Sequence, residues 1–293
     1  MQPELIANYH CETGEGPLWH ATEKRLYWVD IPQGRLFRYH PASGTHEIVY
    51  EGEVIGGFTV QADGALLLFM AKGAIKLWCD GVLTTVIESI PGEEAFRFND
   101  VIADPAGRVF CGTMTAGDDP ATERGRLYRL DTDGTIMKVL DGIGVSNGMG
   151  FTPDRKQMYY TDSFPARTIY RFDYDEATGA ITNQQVFATV PEDQGEGIPD
   201  GMTVDVEGYV WSARWDGHCL VRYAPDGGED RRILFPTSKK ISSAVFGGDD
   251  YNDLYVTTAG GHEKEANGPD AGFLFRVDPG VSGVPEFLSR IGL

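Results

Sequence analysis

A segment with a continuous apolar core recurs six times along the chain: RLYWVDI (25–31), ALLLFM (65–70), RVFCGTM (108–114), QMYYTDS (157–163), YVWSARW (209–215) and DLYVTTA (253–259). Such runs suit strands buried on both faces, and most of them follow a turn such as Asp104-Pro105-Ala106-Gly107 or Val206-Glu207-Gly208. Behind each comes a second type: GRLFRYHPASG (34–44), GAIKLWCDG (73–81), GRLYRLDTDG (125–134), RTIYRFDYDEATG (167–179), HCLVRYAPDG (218–227) and GFLFRVDPGVSG (272–283). Here apolar and polar positions alternate and end in a turn, the pattern of a half-buried strand running into a hairpin. With Tyr27, Leu67, Phe110, Tyr159, Trp211 and Tyr255 taken as equivalent, the spacings are 40, 43, 49, 52 and 44 residues. Six repeats, each long enough for four short strands, predict an all-β, six-bladed β-propeller.

The alternative is a β-sandwich with chance likeness between strands, but twelve segments then keep one alternating order for no reason. Thirty-seven glycines and 16 prolines in 293 residues supply the turns that many short strands need. No linker-like stretch interrupts the repeats, so a single domain over residues 1–293 is expected. Lys plus Arg number 25 against 44 Asp plus Glu, a formal charge of −19, which disfavours nucleic acid and anionic membranes as partners. The N-terminal MQPELIANYHCETGEG has neither a basic nor an apolar signal region, and the apolar run near Ala65–Ala71 is far short of the ~20 residues of a membrane helix. Cys11, Cys79, Cys111 and Cys219 form no CxxC pair and read as reduced, mostly buried thiols. A cytoplasmic protein is expected.

In a propeller, loops and strands from successive blades meet at a central channel. Functional residues are therefore expected to be polar groups beside the inner, apolar strands, drawn from several blades. Four places satisfy this: Glu15 in Thr-Gly-Glu-Gly-Pro, Arg97 and Asn99 in Phe-Arg-Phe-Asn-Asp, Asn147 in Ser-Asn-Gly-Met, and Asp200 in Pro-Asp-Gly-Met. Asn-Gly and Asp-Gly are also ordinary turn dipeptides, and Arg97 also has Glu93 and Glu94 nearby as surface ion-pair partners.

The ordered set of motifs resembles the senescence marker protein, gluconolactonase and regucalcin group of six-bladed propellers. The resemblance rests on Gly14-Glu15-Gly16-Pro17, Arg97-Phe98-Asn99-Asp100, Asp104-Pro105-Ala106-Gly107-Arg108, Gly112-Thr113-Met114, Ser146-Asn147-Gly148-Met149 and Pro199-Asp200-Gly201-Met202. Ser242-Ser243, Phe246-Gly247-Gly248 and Leu254-Tyr255-Val256-Thr257 complete it, so that it covers nearly the whole chain. It implies one divalent metal ion held by Glu15, Asn147 and Asp200, with Arg97 and Asn99 contacting substrate. The implied activity is the opening of a sugar lactone, such as glucono-, xylono- or arabinonolactone, to the free aldonic acid, with Asp200 steering or deprotonating water. Two carboxylates and an amide carbonyl are hard oxygen donors that accept calcium, magnesium, manganese, zinc or ferrous iron, and they do not choose among them. One departure stands out. Some animal members carry an acidic residue three positions after Gly-Thr-Met, where this chain has Gly117 followed by Asp118 and Asp119.

Other motifs fail on context. Gly144-Val145-Ser146-Asn147-Gly148 fits G-x-S-x-G, but Phe151-Thr152-Pro153-Asp154 predicts a turn and another strand where the serine-hydrolase elbow needs a helix. Asp131-Thr132-Asp133-Gly134 is a hairpin turn rather than an EF-hand loop. None of the six histidines shows metal spacing, although His218 and His262 follow inner-strand segments and are weak candidates for proton transfer. Two other function classes stay open on the sequence: a non-catalytic calcium-binding regulator, and a phosphotriesterase or other ester hydrolase on the same fold.

Overall fold

The computed structural model describes residues 2–117, 119–192 and 195–292. It contains six four-stranded antiparallel sheets. Blade 1 is built from Gly14–His20, Arg25–Asp30, Arg35–His40 and Thr45–Glu51, in that order across the sheet. The first strands of blades 2 to 6 are Ile55–Val60, Phe96–Ala103, Ser146–Phe151, Ile198–Val204 and Lys240–Gly247. Each first strand touches the first strand of the next blade, and the sixth touches the first. These six strands therefore ring a common axis, which makes the fold a six-bladed β-propeller.

The recurrent apolar segments are the second strand of each blade, one place out from the axis. Their burial on both faces comes from blade-on-blade packing. Tyr27 and Val29 pack with Leu66, Leu68 and Met70 of blade 2, while Leu26 and Trp28 point the other way, towards Tyr255 and Leu274 of blade 6. The expectation that functional groups lie beside apolar inner strands is thus corrected. The innermost strands are those that carry Glu15, Arg97, Asn99, Asn147 and Asp200 themselves. Polar residues and, in most blades, glycines interrupt their hydrophobic pattern and hide them as strands.

The ring closes in blade 6, where Glu4–Ala7 adds to the outer side of Leu274–Val277. Beyond that strand the chain turns back beneath the propeller. Gly283 N donates to Tyr251 O (2.8 Å), Ser289 N to Val60 O (2.9 Å), and Gly292 N to Thr132 O (2.7 Å). Gln61 clasps Ile291 through both its amide atoms, at 3.1 and 3.2 Å. The tail thereby ties blades 2, 3 and 6 together across one end of the channel. Among the described residues the one helix is Lys264–Asn267, and no helix is long and apolar enough to cross a membrane. Cys11, Cys111 and Cys219 are buried free thiols, but Cys79 is exposed.

Candidate functional site

Each of the five residues singled out in the sequence lies within the first four positions of an innermost strand. A regular strand there would aim alternate side chains away from the axis. All six innermost strands, however, shift register against the second strand near this point. The shifts fall between Glu15 and Leu18, Ile55 and Gly57, Phe98 and Val101, Asn147 and Met149, Pro199 and Met202, and Ile241 and Ser243. A bulge bends its strand and re-aims the side chains around it. The glycine that follows the site residue has its own cause. A Cβ on Gly148 would stand 2.6 Å from Asp200 O, and one on Gly201 would stand 2.2 Å from Ser243 Oγ. Asn-Gly-Met and Asp-Gly-Met are therefore points of close strand contact at the axis rather than turns.

The side chains are interlocked. Gly16 N donates to Glu15 Oε2 at 2.9 Å. Arg97 Nη1 donates to Phe98 O (2.9 Å) and to Asn99 Oδ1 (2.7 Å), and Asn99 Nδ2 donates to Ser146 O (2.8 Å). Asn147 donates a side-chain hydrogen bond to Asp200, leaving its own buried Oδ1 without a partner. Arg97 faces the channel and not Glu93, which instead takes Arg126 at 2.5 Å and Tyr128 OH at 2.7 Å.

Three carboxylates and one guanidinium share this space. Burial lifts Glu15 well above the usual carboxylate range, and the charges of Asp200 and Asp100 push it further. Asp200 is raised in the same way, by burial and then by Asp100. Burial pushes Asp100 up to about 7 against the opposing charge of Arg97. Burial also lowers Arg97 to about 10, so it remains a cation at neutral pH. A surplus of buried negative charge is stable only if protons or a cation neutralise it. Among the described residues no group of three His, Cys, Asp or Glu side chains is placed to hold a metal ion. The set that fits is mixed: the Glu15 and Asp200 carboxylates with the unpartnered Asn147 carbonyl, all hard oxygen donors.

Glu15, Arg97, Asn99, Asn147 and Asp200 all line one cavity of about 530 Å³. The model of the SMP-30/gluconolactonase/LRE-like region matches residues 13–260, a span that holds all five. The chain belongs to this family. It is similar to pentonolactonase XacC of Haloferax volcanii, at 50% identity over 100% of both chains. It is 34% identical to regucalcin of Danio rerio, over 98% of each chain. A solved structure of a calcium-binding protein, regucalcin, from Agrobacterium tumefaciens superposes with a TM-score of 0.88 at 26% identity, covering 100% of this chain and 98% of that one.

For a member of the SMP-30/gluconolactonase group, the Gly117 departure has a local consequence. A Cβ built on Gly117 would stand 3.2 Å from Glu123 Oε2, so a carboxylate delivered from further along the chain borders the vacated position. Asp118 lies outside the described residues. His262 lines the cavity mouth with its Nε2 at 3.3 Å from Glu12 Oε1. His218 does not line it; it holds a left-handed turn (φ 55°) and its backbone N donates to Lys239 O. Ser146 is buried within a strand and accepts from Tyr160 OH at 2.9 Å, which fits no nucleophile elbow. Sequence reasoning passed over three residues. Asp100 was hidden because strict alternation turns it away from Asn99's side, and only the bulge allows both to reach the channel. Trp215 and Phe164 line the 530 Å³ cavity with Glu15 and Asp200 as aromatic walls, and nothing in their local sequence separates them from core residues.

Proposed function

We propose that this family member hydrolyses a five- or six-carbon sugar lactone to the free aldonic acid, working as one propeller domain with a divalent metal ion. The observation that carries this reading is the buried, unpartnered Asn147 Oδ1 beside two carboxylates lifted by burial and mutual repulsion. Glu15, Asn147 and Asp200 would hold the ion, which when bound supplies Lewis-acid polarisation of the lactone carbonyl. Asp200 orients water for attack on that carbonyl carbon and accepts its proton. The bond between the carbonyl carbon and the ring oxygen breaks, and the ring oxygen leaves as an alkoxide that takes up the proton removed from water to become a hydroxyl. Arg97 is a fixed cation suited to the carboxylate that forms and to neighbouring hydroxyls. Asn99 is locked between Arg97 Nη1 and Ser146 O, so its remaining donor and acceptor capacity is pre-aimed into the cavity. The likeness to a pentonolactonase supports the substrate class, and the likeness to the calcium-binding regucalcin of Agrobacterium tumefaciens supports a calcium-type ion.

The test is acid release from a panel of xylono-, arabinono- and gluconolactone by metal-stripped protein, with single cations restored. One lactone opened quickly in a metal-dependent manner supports the reading. An ion bound tightly with no lactone opened would favour a calcium-binding regulator, the reading suggested by the regucalcin relatives. Asp200→Ala is expected to lower kcat/KM by about three orders of magnitude or more and to abolish tight ion binding.

A further inference from the structure

The cavity has two kinds of wall. Glu15, Arg97, Asn99, Asn147 and Asp200 come from the innermost strands of blades 1, 3, 4 and 5, whereas Trp215 enters from the end of the second strand of blade 5, paired in register with Ile198. The indole is half-buried and is held from outside the cavity. The Lys240 ammonium of blade 6 lies 4.5 Å from the ring centroid, and Lys240 Nζ is fixed by Asp216 Oδ1 at 2.6 Å. A cation on one face of an aromatic ring attracts it electrostatically and limits its tilt. Trp215 is thus a rigid apolar plate on a wall two blades round the ring from Arg97 and Asn99. The other large aromatic group of the cavity, Phe164, is 36% exposed, and among the described residues no cation lies over its ring.

A polyhydroxylated lactone has two chemically distinct aspects. Its hydroxyls project around the ring edge, where the Arg97 guanidinium and the Asn99 amide can meet them. Its ring faces carry C–H bonds, whose weak positive charge is attracted to the electron-rich face of an indole. We propose that Trp215 is a further substrate-binding residue of this site, stacking against the C–H face of the lactone ring while the polar residues engage its edge. The inference rests on the sugar-lactone reading of the site. The contact acts in the bound ground state and the transition state alike, so it affects KM and leaves kcat nearly unchanged.

Three variants test it in the metal-loaded enzyme, with xylonolactone and arabinonolactone as probes and a thermal melt of each protein as control. Trp215→Leu keeps apolar bulk and removes the ring face, so KM is expected to rise roughly five- to tenfold with kcat within about twofold. Trp215→Phe keeps a ring face and is expected to hold KM within about threefold of the wild type. Trp215→Met replaces the leucine variant if that does not fold. An unchanged KM in the leucine or methionine variant overturns the proposal. So does a phenylalanine variant as damaged as the leucine one, or a loss confined to kcat, because either marks Trp215 as a support for neighbouring residues. A wild type that opens no aldonolactone with any cation defeats the underlying reading and the inference with it. An active wild type beside unaffected variants defeats the inference alone.

Discussion

The side chains at the channel axis serve different ends. Asn99 has both ends of its amide engaged by protein groups, so it presents a fixed surface to whatever enters the cavity. Asn147 has one end engaged and the other free, the state of a group with an oxygen still to be used. Removing either therefore has different consequences. Asn147→Ala is expected to weaken calcium or zinc binding by at least tenfold in a calorimetric titration, while Asn99→Ala leaves ion affinity within about threefold and raises the KM for lactone. Arg97 carries the positive charge that opposes Glu15, Asp100 and Asp200. Arg97→Met should raise KM on the order of tenfold or more, and Arg97→Lys should recover only part of it because a point charge does not reproduce the guanidinium fork. Five of these residues were legible in the sequence because each sits in a short motif with glycine or phenylalanine neighbours. Asp100 was not, because its direction depends on a bulge that no dipeptide announces.

The element that decides the site is the innermost strand, bulged in every blade and glycine-bearing in all but blade 3. Side chains would crowd out a neighbouring backbone where six strands converge. Gly148 is the instance beside the site, since its missing Cβ would stand 2.6 Å from both Asp200 O and Met202 N, atoms of a backbone fixed in blade 5. Gly148→Ala is expected to cost on the order of 2 kcal/mol of stability, measured by denaturant unfolding, because the strained atoms cannot swing aside. The same shift displaces Asn147 from Asp200, so activity should fall by more than the loss of folded protein accounts for. The second and third strands of each blade were readable from the sequence, since apolar runs and period-two alternation are local properties. The innermost strands escaped that reading. Their residues contact other blades, so their pattern reflects crowding at the axis and not the usual alternation.

For the molecule as a whole, closure comes from both ends of the chain. Glu4–Ala7 completes blade 6, and the tail after residue 282 seals one end of the channel. Glu286 in that tail borders an internal cavity that Asp100, Thr59 and Ser243 also line. It accepts a long hydrogen bond from Thr203 Oγ1 at 3.4 Å and faces Tyr251. Burial raises its carboxyl to about 7 from the ordinary 4.5. The folded protein therefore holds a proton that the unfolded chain releases between those values, and this contribution to stability declines as pH rises from about 4.5 to about 7. Glu286→Gln should thus melt several degrees higher than the wild type at pH 8, with a gain on the order of 2 kcal/mol that shrinks towards pH 5. An unchanged difference across that range would show that the carboxyl is not buried. Deleting residues 2–8 should lower the melting temperature markedly, because it leaves Leu274–Val277 as an open edge and unlinks the ring.

Taken by itself, the sequence determined the repeat number, the strand class and the five polar positions, because apolar periodicity and turn chemistry act over a few residues and are written locally. It also carried the ordered motifs that tie the chain to its family. The tertiary structure alone decided which strand of each blade faces the axis, since that depends on how neighbouring blades pack. It decided that Asn-Gly and Asp-Gly are close strand contacts, that Asp100 shares the channel with Glu15 and Asp200, and that Trp215 is a wall of the cavity. Each of these follows from residues far apart in the chain meeting around one axis. The attraction, repulsion and crowding between them exist only once the ring has closed.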